Sequence, residues 1–124
     1  MVNSMGKYKV WVDDSGIIRG AIIGEHTKED ALNIIRDLDE YLNKVHDNGL
    51  VLIDMTKTGR PSSEARKVHA MNIKNENEKF KKAAFFGATV MNRVLANFII
   101  KASGRGDKVR YFNTKEEAIV WLKK

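Results

Sequence analysis

Two short runs, Leu50-Val51-Leu52-Ile53 and Ala83-Ala84-Phe85-Phe86, constrain this chain more than any other feature. Neither alternates with polar residues, and each stands between stretches of helical periodicity. Strands buried on both faces read this way, and such strands belong to parallel sheets covered by helices. The first run ends in Asp54 and the second is closed by Gly87. Side by side, they would form the centre of an α/β domain.

The rest of the chain fits around that centre. Lys7 to Val12 alternates with Tyr8, Val10 and Val12 on one face and Trp11 on the other. The cluster Asp13-Asp14-Ser15-Gly16 is a turn, and Ile17 to Ile23 is a second β-rich run, so the pair predicts a hairpin. Thr27 with Asp30 three residues on is a variant capping box. From Ala31 the apolar positions Ile34, Ile35, Leu38, Tyr41, Leu42 and Val45 recur at helical steps, ended by Asn48-Gly49.

After Asp54, Met55 to Arg60 reads as a polar loop, and Pro61 before Ser62-Ser63-Glu64 reads as a helix start. The helix 63–75 has a thin stripe of Ala65, Val68, Met71 and Ile73, which predicts partial exposure. Thr89 to Ala102 predicts a third helix with Val90, Met91, Val94, Leu95, Phe98 and Ile99 inward. Val109 to Phe112 is the last strand, and Thr114 with Glu117 forms a capping box for the helix Lys115 to Leu122. The order ββαβαβαβα predicts an α/β fold with a mixed, mostly parallel central sheet flanked by helices. At 124 residues the whole chain, 1–124, fits one domain, with residues 1–6 expected as a disordered tail.

Composition narrows the chemistry. There is no cysteine, so disulfides, thiolate metal sites and cysteine nucleophiles are excluded. Met1 to Lys9 lacks the apolar core of a signal peptide, and no run reaches the length of a membrane span. A soluble cytoplasmic protein is the expectation. Residues 1–56 carry 6 Lys/Arg against 10 Asp/Glu, whereas residues 57–124 carry 16 against 6. A basic half of this kind suits an anionic or acidic partner. Its cations are scattered, with neither an Arg-rich run nor interleaved aromatics, which disfavours nucleic acid.

In open parallel sheets, ligands gather beyond the carboxyl ends of the strands. Two segments qualify: Asp54 to Glu64, and Gly87 to Thr89. The candidate binding or regulatory residues are Asp54, Thr56, Thr58, Arg60, Ser62, Ser63, Thr89 and Arg93. Each has a structural alternative: the serines as helix caps, Asp54 as an acceptor for its own loop, the threonines as turn formers. His26, His46 and His69 have no ligand spacing, so neither a metal nor another cofactor is expected. No serine sits in a Gly-flanked elbow, and no paired-carboxylate, Walker or dinucleotide signature occurs. The reading is therefore not an enzyme.

The element order, the strands Leu50–Asp54 and Lys82–Gly87, and the tail Val109-Arg110-Tyr111-Phe112-Asn113-Thr114-Lys115-Glu116-Glu117-Ala118-Ile119-Val120-Trp121-Leu122 resemble the SpoIIAA-like branch of the STAS superfamily. The resemblance implies a non-catalytic regulatory module that docks a partner protein. In the antagonist branch it also implies phosphorylation of a Ser or Thr at the start of the helix after the central strand. By position that residue is Ser62 or Ser63, although this chain has Pro61-Ser62-Ser63-Glu64 where the antagonists carry Asp-Ser-(Ser/Ala)-Gly. Relatives also resemble the lipid-binding Sec14 fold, which implies a second reading: a carrier of lipid or a small apolar ligand in a cavity beneath helix 63–75. A homodimer through the edge strand of the hairpin is a further expectation.

Overall fold

The computed structural model describes residues 8–45, 49–87 and 89–124. The expectations for the 1–6 tail, for Lys7 and Ala88, for His46, and for Asn48 as a helix stop lie outside the described residues. The hairpin is β1 (Tyr8–Val12) and β2 (Ile18–His26), followed by α1 (Lys28–Val45) and β3 (Leu50–Pro61). Next come α2 (Ser63–Glu76), a 3-10 turn at Asn77–Lys79 and β4 (Lys82–Phe86). The chain ends with α3 (Val90–Ser103), β5 (Val109–Phe112) and α4 (Lys115–Leu122). The expected ββαβαβαβα order holds.

The five strands lie in sequence order, β1 antiparallel to β2 and the others parallel. Leu50–Asp54 pairs with Lys82–Phe86 in register, so the two apolar runs are neighbours at the centre. Successive residues of these runs face opposite ways. Val51, Ile53 and Ala83 join one core with Ile34 and Leu42 of α1, Ile73 of α2, and Ala96 and Ile100 of α3. Leu52, Ala84 and Phe86 join the other with Ala118, Trp121 and Leu122 of α4. Sequential strand order explains the split. Three right-handed crossovers that all advance in one direction put α1, α2 and α3 on the same face. Only α4, which need not return to the sheet, covers the reverse.

Two expectations fail for one connected reason. Met55–Arg60 is strand, not loop, because β2 also runs on to His26 and gives it a partner: Ile23 pairs with Lys57, Gly24 with Thr58 and His26 with Pro61. Between Ala21 and Ile23, and again between Gly24 and His26, β3 advances three residues while β2 advances two. These bulges turn Met55, Thr58 and Pro61 inward at three-residue steps, which erases the alternation by which a strand is recognised. The strands also approach closely, since a Cβ on Gly59 would lie 3.0 Å from the Gly24 carbonyl carbon and oxygen.

β4 pairs with β3 only as far as Asp54, so beyond that point β3 has an open side. Its Thr58 and Gly59 carbonyls accept hydrogen bonds from Asn92 Nδ2 at 2.8 and 3.2 Å. A buried carbonyl without a donor is costly, and the buried amide of Asn92 fixes how α3 is turned. Asn92, Leu95, Ala96, Ile100 and Ser103 therefore point inward. Of the expected inner face, Val90, Met91, Val94 and Phe98 are instead exposed.

Candidate functional site

Where β4 leaves β3, and beyond the carboxyl ends of β4 and β5, four of the candidate side chains are engaged locally. Asp54 Oδ1 accepts from the Thr56 backbone N–H at 2.8 Å and from its hydroxyl at 2.7 Å. That is the structural alternative for Asp54, two residues along its own strand. The Thr56 methyl closes over Gly87: a Cβ there would stand 2.3 Å from Thr56 Cγ2, and the φ of 81° suits only glycine. Thr89 caps α3 by accepting from the Asn92 N–H at 3.2 Å. Arg93 Nη1 donates to Asn113 Oδ1 at 3.4 Å beyond β5.

The remaining candidates are elsewhere. Thr58 is buried and donates its hydroxyl to the Ile22 carbonyl at 3.0 Å, tying the two bulged strands together. Arg60 is exposed near the end of β3. Ser62 caps α2, its Oγ accepting from the Ala65 N–H at 3.0 Å, and Ser63 is exposed in the first turn. Because residues 55–61 are extended, on the order of 20 Å of strand separates Asp54 from the serines. The expected common rim of Asp54 and the serine-tipped helix is thus divided into two places.

Sequence reasoning missed the chemistry under α2. This helix packs against α1 and α3, and its fully buried residues are Ala65 and Ile73. Beneath it lie two cavities. One of about 70 Å³ is walled by Ile34, Leu38, Ile53, Ile73 and Phe85, with Asp39, Glu76 and Lys79 at its border. The other, about 30 Å³, is walled by Met55, Thr58, Pro61, Ala96 and Ile99. His69 borders both. Its Nε2 lies 2.7 Å from Nε2 of His26, and the two rings stack with centroids 5.0 Å apart.

His26 ends β2, is 3% exposed and has no partner for Nδ1. Burial holds its basicity below the usual histidine range, partly countered by the Asp30 carboxylate. His69 is partly exposed as a residue, its imidazole being the enclosed part. Desolvation, and then the nearby His26, depress it further. Both rings are neutral at pH 7, so one Nε2 carries the shared proton and the other accepts it. The signal in the sequence was the row Ala65, His69 and Ile73 at four-residue steps, which puts a histidine on the inner stripe of α2.

Among the described residues, no group of three or more His, Asp or Glu could hold a metal ion, and no helix is long and apolar enough to cross a membrane.

A family model described as SpoIIAA-like matches residues 17–123. No curated protein matches. Among solved structures, an uncharacterised protein with a SpoIIAA-like fold from Shewanella loihica PV-4 is similar, with 18% identity, 98% of each chain covered and a TM-score of 0.71.

Proposed function

The chain belongs to the SpoIIAA-like family, and from that premise we propose that it is a non-catalytic binding module that docks an acidic protein partner on α3. The observation that carries the reading is the outer stripe of that helix. Val90 is 71% exposed, Met91 55%, Val94 57% and Phe98 61%, and together they follow one helical face. A contiguous apolar stripe of this kind on a protein surface marks an interaction site. The stripe is rimmed by Arg93 and Lys101, and α3 carries no acidic residue. Two copies of such a face would oppose like charges, whereas an acidic amphipathic segment complements it. The serines at the start of α2 are where a modification would act on the same module. Ser62 Oγ is engaged in the cap, so the accessible hydroxyl is that of exposed Ser63.

A photo-crosslinker at Val94 in living cells, followed by binding measurements with the purified captured protein, tests this. Phe98→Asp should weaken binding at least tenfold and leave the unfolding midpoint near that of the parent chain, because Phe98 is already in water. Equal binding by the variant defeats the proposal.

A second reading, a carrier of a small apolar ligand, is favoured by the cavities under α2. At about 70 and 30 Å³ they suit a molecule of a few heavy atoms, not an acyl chain, unless α2 moves. Native mass spectrometry of freshly purified protein should then show a bound small molecule. A clean apo mass removes this reading.

A further inference from the structure

We propose that the His26–His69 hydrogen bond is an acid-sensitive latch, whose protonation releases α2 from the sheet and opens the two cavities beneath it. The inference goes beyond both readings of function and depends on neither. It starts from how weakly α2 is otherwise held. The helix lies against α1 and α3 and buries only Ala65 and Ile73 fully. Its start is fixed by the backbone, where the Ser62 N–H donates to the His26 carbonyl at 3.0 Å. Two turns later His69 returns to the same residue through its ring, 2.7 Å from His26 Nε2. One histidine therefore grips both the first turn and the middle of α2. His69 also belongs to the wall that the two cavities share, together with Ile22 and Phe85, so moving it opens that wall on the α2 side.

The proton count makes the contact sensitive to acid. In the neutral pair a single proton lies between the facing nitrogens, donated by one Nε2 and accepted by the other. A first added proton leaves that bond in place but puts a cation among Ile22, Met55, Pro61 and Ile99. A second gives both Nε2 atoms a hydrogen, and two N–H groups cannot face each other at 2.7 Å.

Little nearby offsets the charge. From α1, Asp30 acts on His26, but its Oδ2 already accepts from the Thr27 N–H and hydroxyl, both at 3.0 Å. On α2, His69 is in turn depressed by His26. β3 and α3 contribute Met55, Thr58, Pro61, Ala96 and Ile99, none of which titrates. At the far side of the larger cavity, Lys79 pairs with Asp39 at 3.2 Å and Glu76 at 3.9 Å.

The sign follows from linkage. Both histidines are held below their solution value in the closed form, so closure is complete above about pH 6.5 and is lost as the pH falls. From pH 7 to pH 5 the opening equilibrium should rise by up to about 25-fold if opening takes up one proton and by up to about 600-fold if it takes up two.

Hydrogen exchange on the full chain, corrected for intrinsic rates, reads this directly. Amides of Ala65–Glu76 should lose protection by a factor in that range, while Val51–Ile53 and Ala83–Phe86 lose far less. The double variant His26→Gln/His69→Gln should show a loss within about threefold over the same interval. Unchanged α2 protection in the parent chain overturns the proposal, as does equal loss in α2 and the central strands, which is global acid unfolding. If the double variant does not fold, imidazole titration of the parent chain by NMR decides. Both rings should titrate below the ordinary histidine range together with α2 amide shifts, and titration near 6.5 without such shifts refutes the latch.

Discussion

The two faces of the sheet are covered by the same kind of element but packed differently. On the α4 face, one short helix brings Ala118, Trp121 and Leu122 onto Ile17, Leu52, Ala84 and Phe86. Lys82 and Arg110 lie over the Trp121 ring, 4.9 and 5.4 Å from its centroid. On the other face three helices share the sheet, and the middle one meets its neighbours better than it meets the strands. The cavities and the histidine pair lie there. The topology itself produces the contrast. Crossovers that all run one way crowd three helices onto one face, and α2, with its thin apolar stripe, cannot descend fully between α1 and α3. The tight face provides stability, and the loose face provides the space and the buried titratable groups that any change of state requires.

One pair of substitutions measures that contrast with the chemistry held constant. Ala83 and Ala84 are adjacent on β4 and face opposite sides, Ala83 toward the larger cavity and Ala84 into the α4 core with no exposure. Ala84→Val forces two methyl groups into a filled site and should destabilise by about 1–3 kcal/mol. Ala83→Val has a cavity of about 70 Å³ to occupy and should be neutral or stabilise by up to about 1 kcal/mol. Urea unfolding of both variants decides it. Equal costs would mean that the two faces are packed alike.

The same contrast marks what could be read from the sequence. The α4 face was legible because each of its elements obeys one local rule. Leu50–Ile53 and Ala83–Phe86 are uninterrupted apolar runs, and Thr114 caps α4 as the pattern implies, its hydroxyl accepting from the Glu117 N–H at 3.2 Å and donating to the Glu117 carboxylate at 3.0 Å. The extended half of β3 was not legible. Its two bulges replace the two-residue period with three, and Gly59 and Pro61 resemble loop punctuation although they lie on the side that β4 leaves open.

The rotation of α3 was hidden for a related reason. Hydrophobic periodicity favours Val90, Met91, Val94 and Phe98 as the inner face, but the unpaired carbonyls of Thr58 and Gly59 demand Asn92. That demand arises only once the strands are paired. The candidate site was legible as a set of residues and not as a place. Thr89 and Ser62 do cap helices and Asp54 does hold its own strand, yet His26 and His69, 43 positions apart, meet only through the fold.

A smaller effect sharpens the comparison further, because it asks how far a local injury spreads on each face. Ser62 caps α2 and Thr114 caps α4, each through one side-chain oxygen, at 3.0 Å to Ala65 N–H and 3.2 Å to Glu117 N–H. Removing either oxygen with Ser62→Ala or Thr114→Ala should cost about 1 kcal/mol at its own helix. The consequences should then diverge. α4 is locked to the sheet by Trp121 and Leu122, so its loss must be expressed in the cooperative unfolding of the whole chain. α2 is held by its neighbours and by one ring contact, so Ser62→Ala should raise exchange of the Ala65–Glu76 amides about fivefold, with a smaller shift in the global midpoint. Ser62→Ala lowering the global midpoint as much as Thr114→Ala does would show that α2 unfolds with the sheet, and the loose face would then be loose in packing alone.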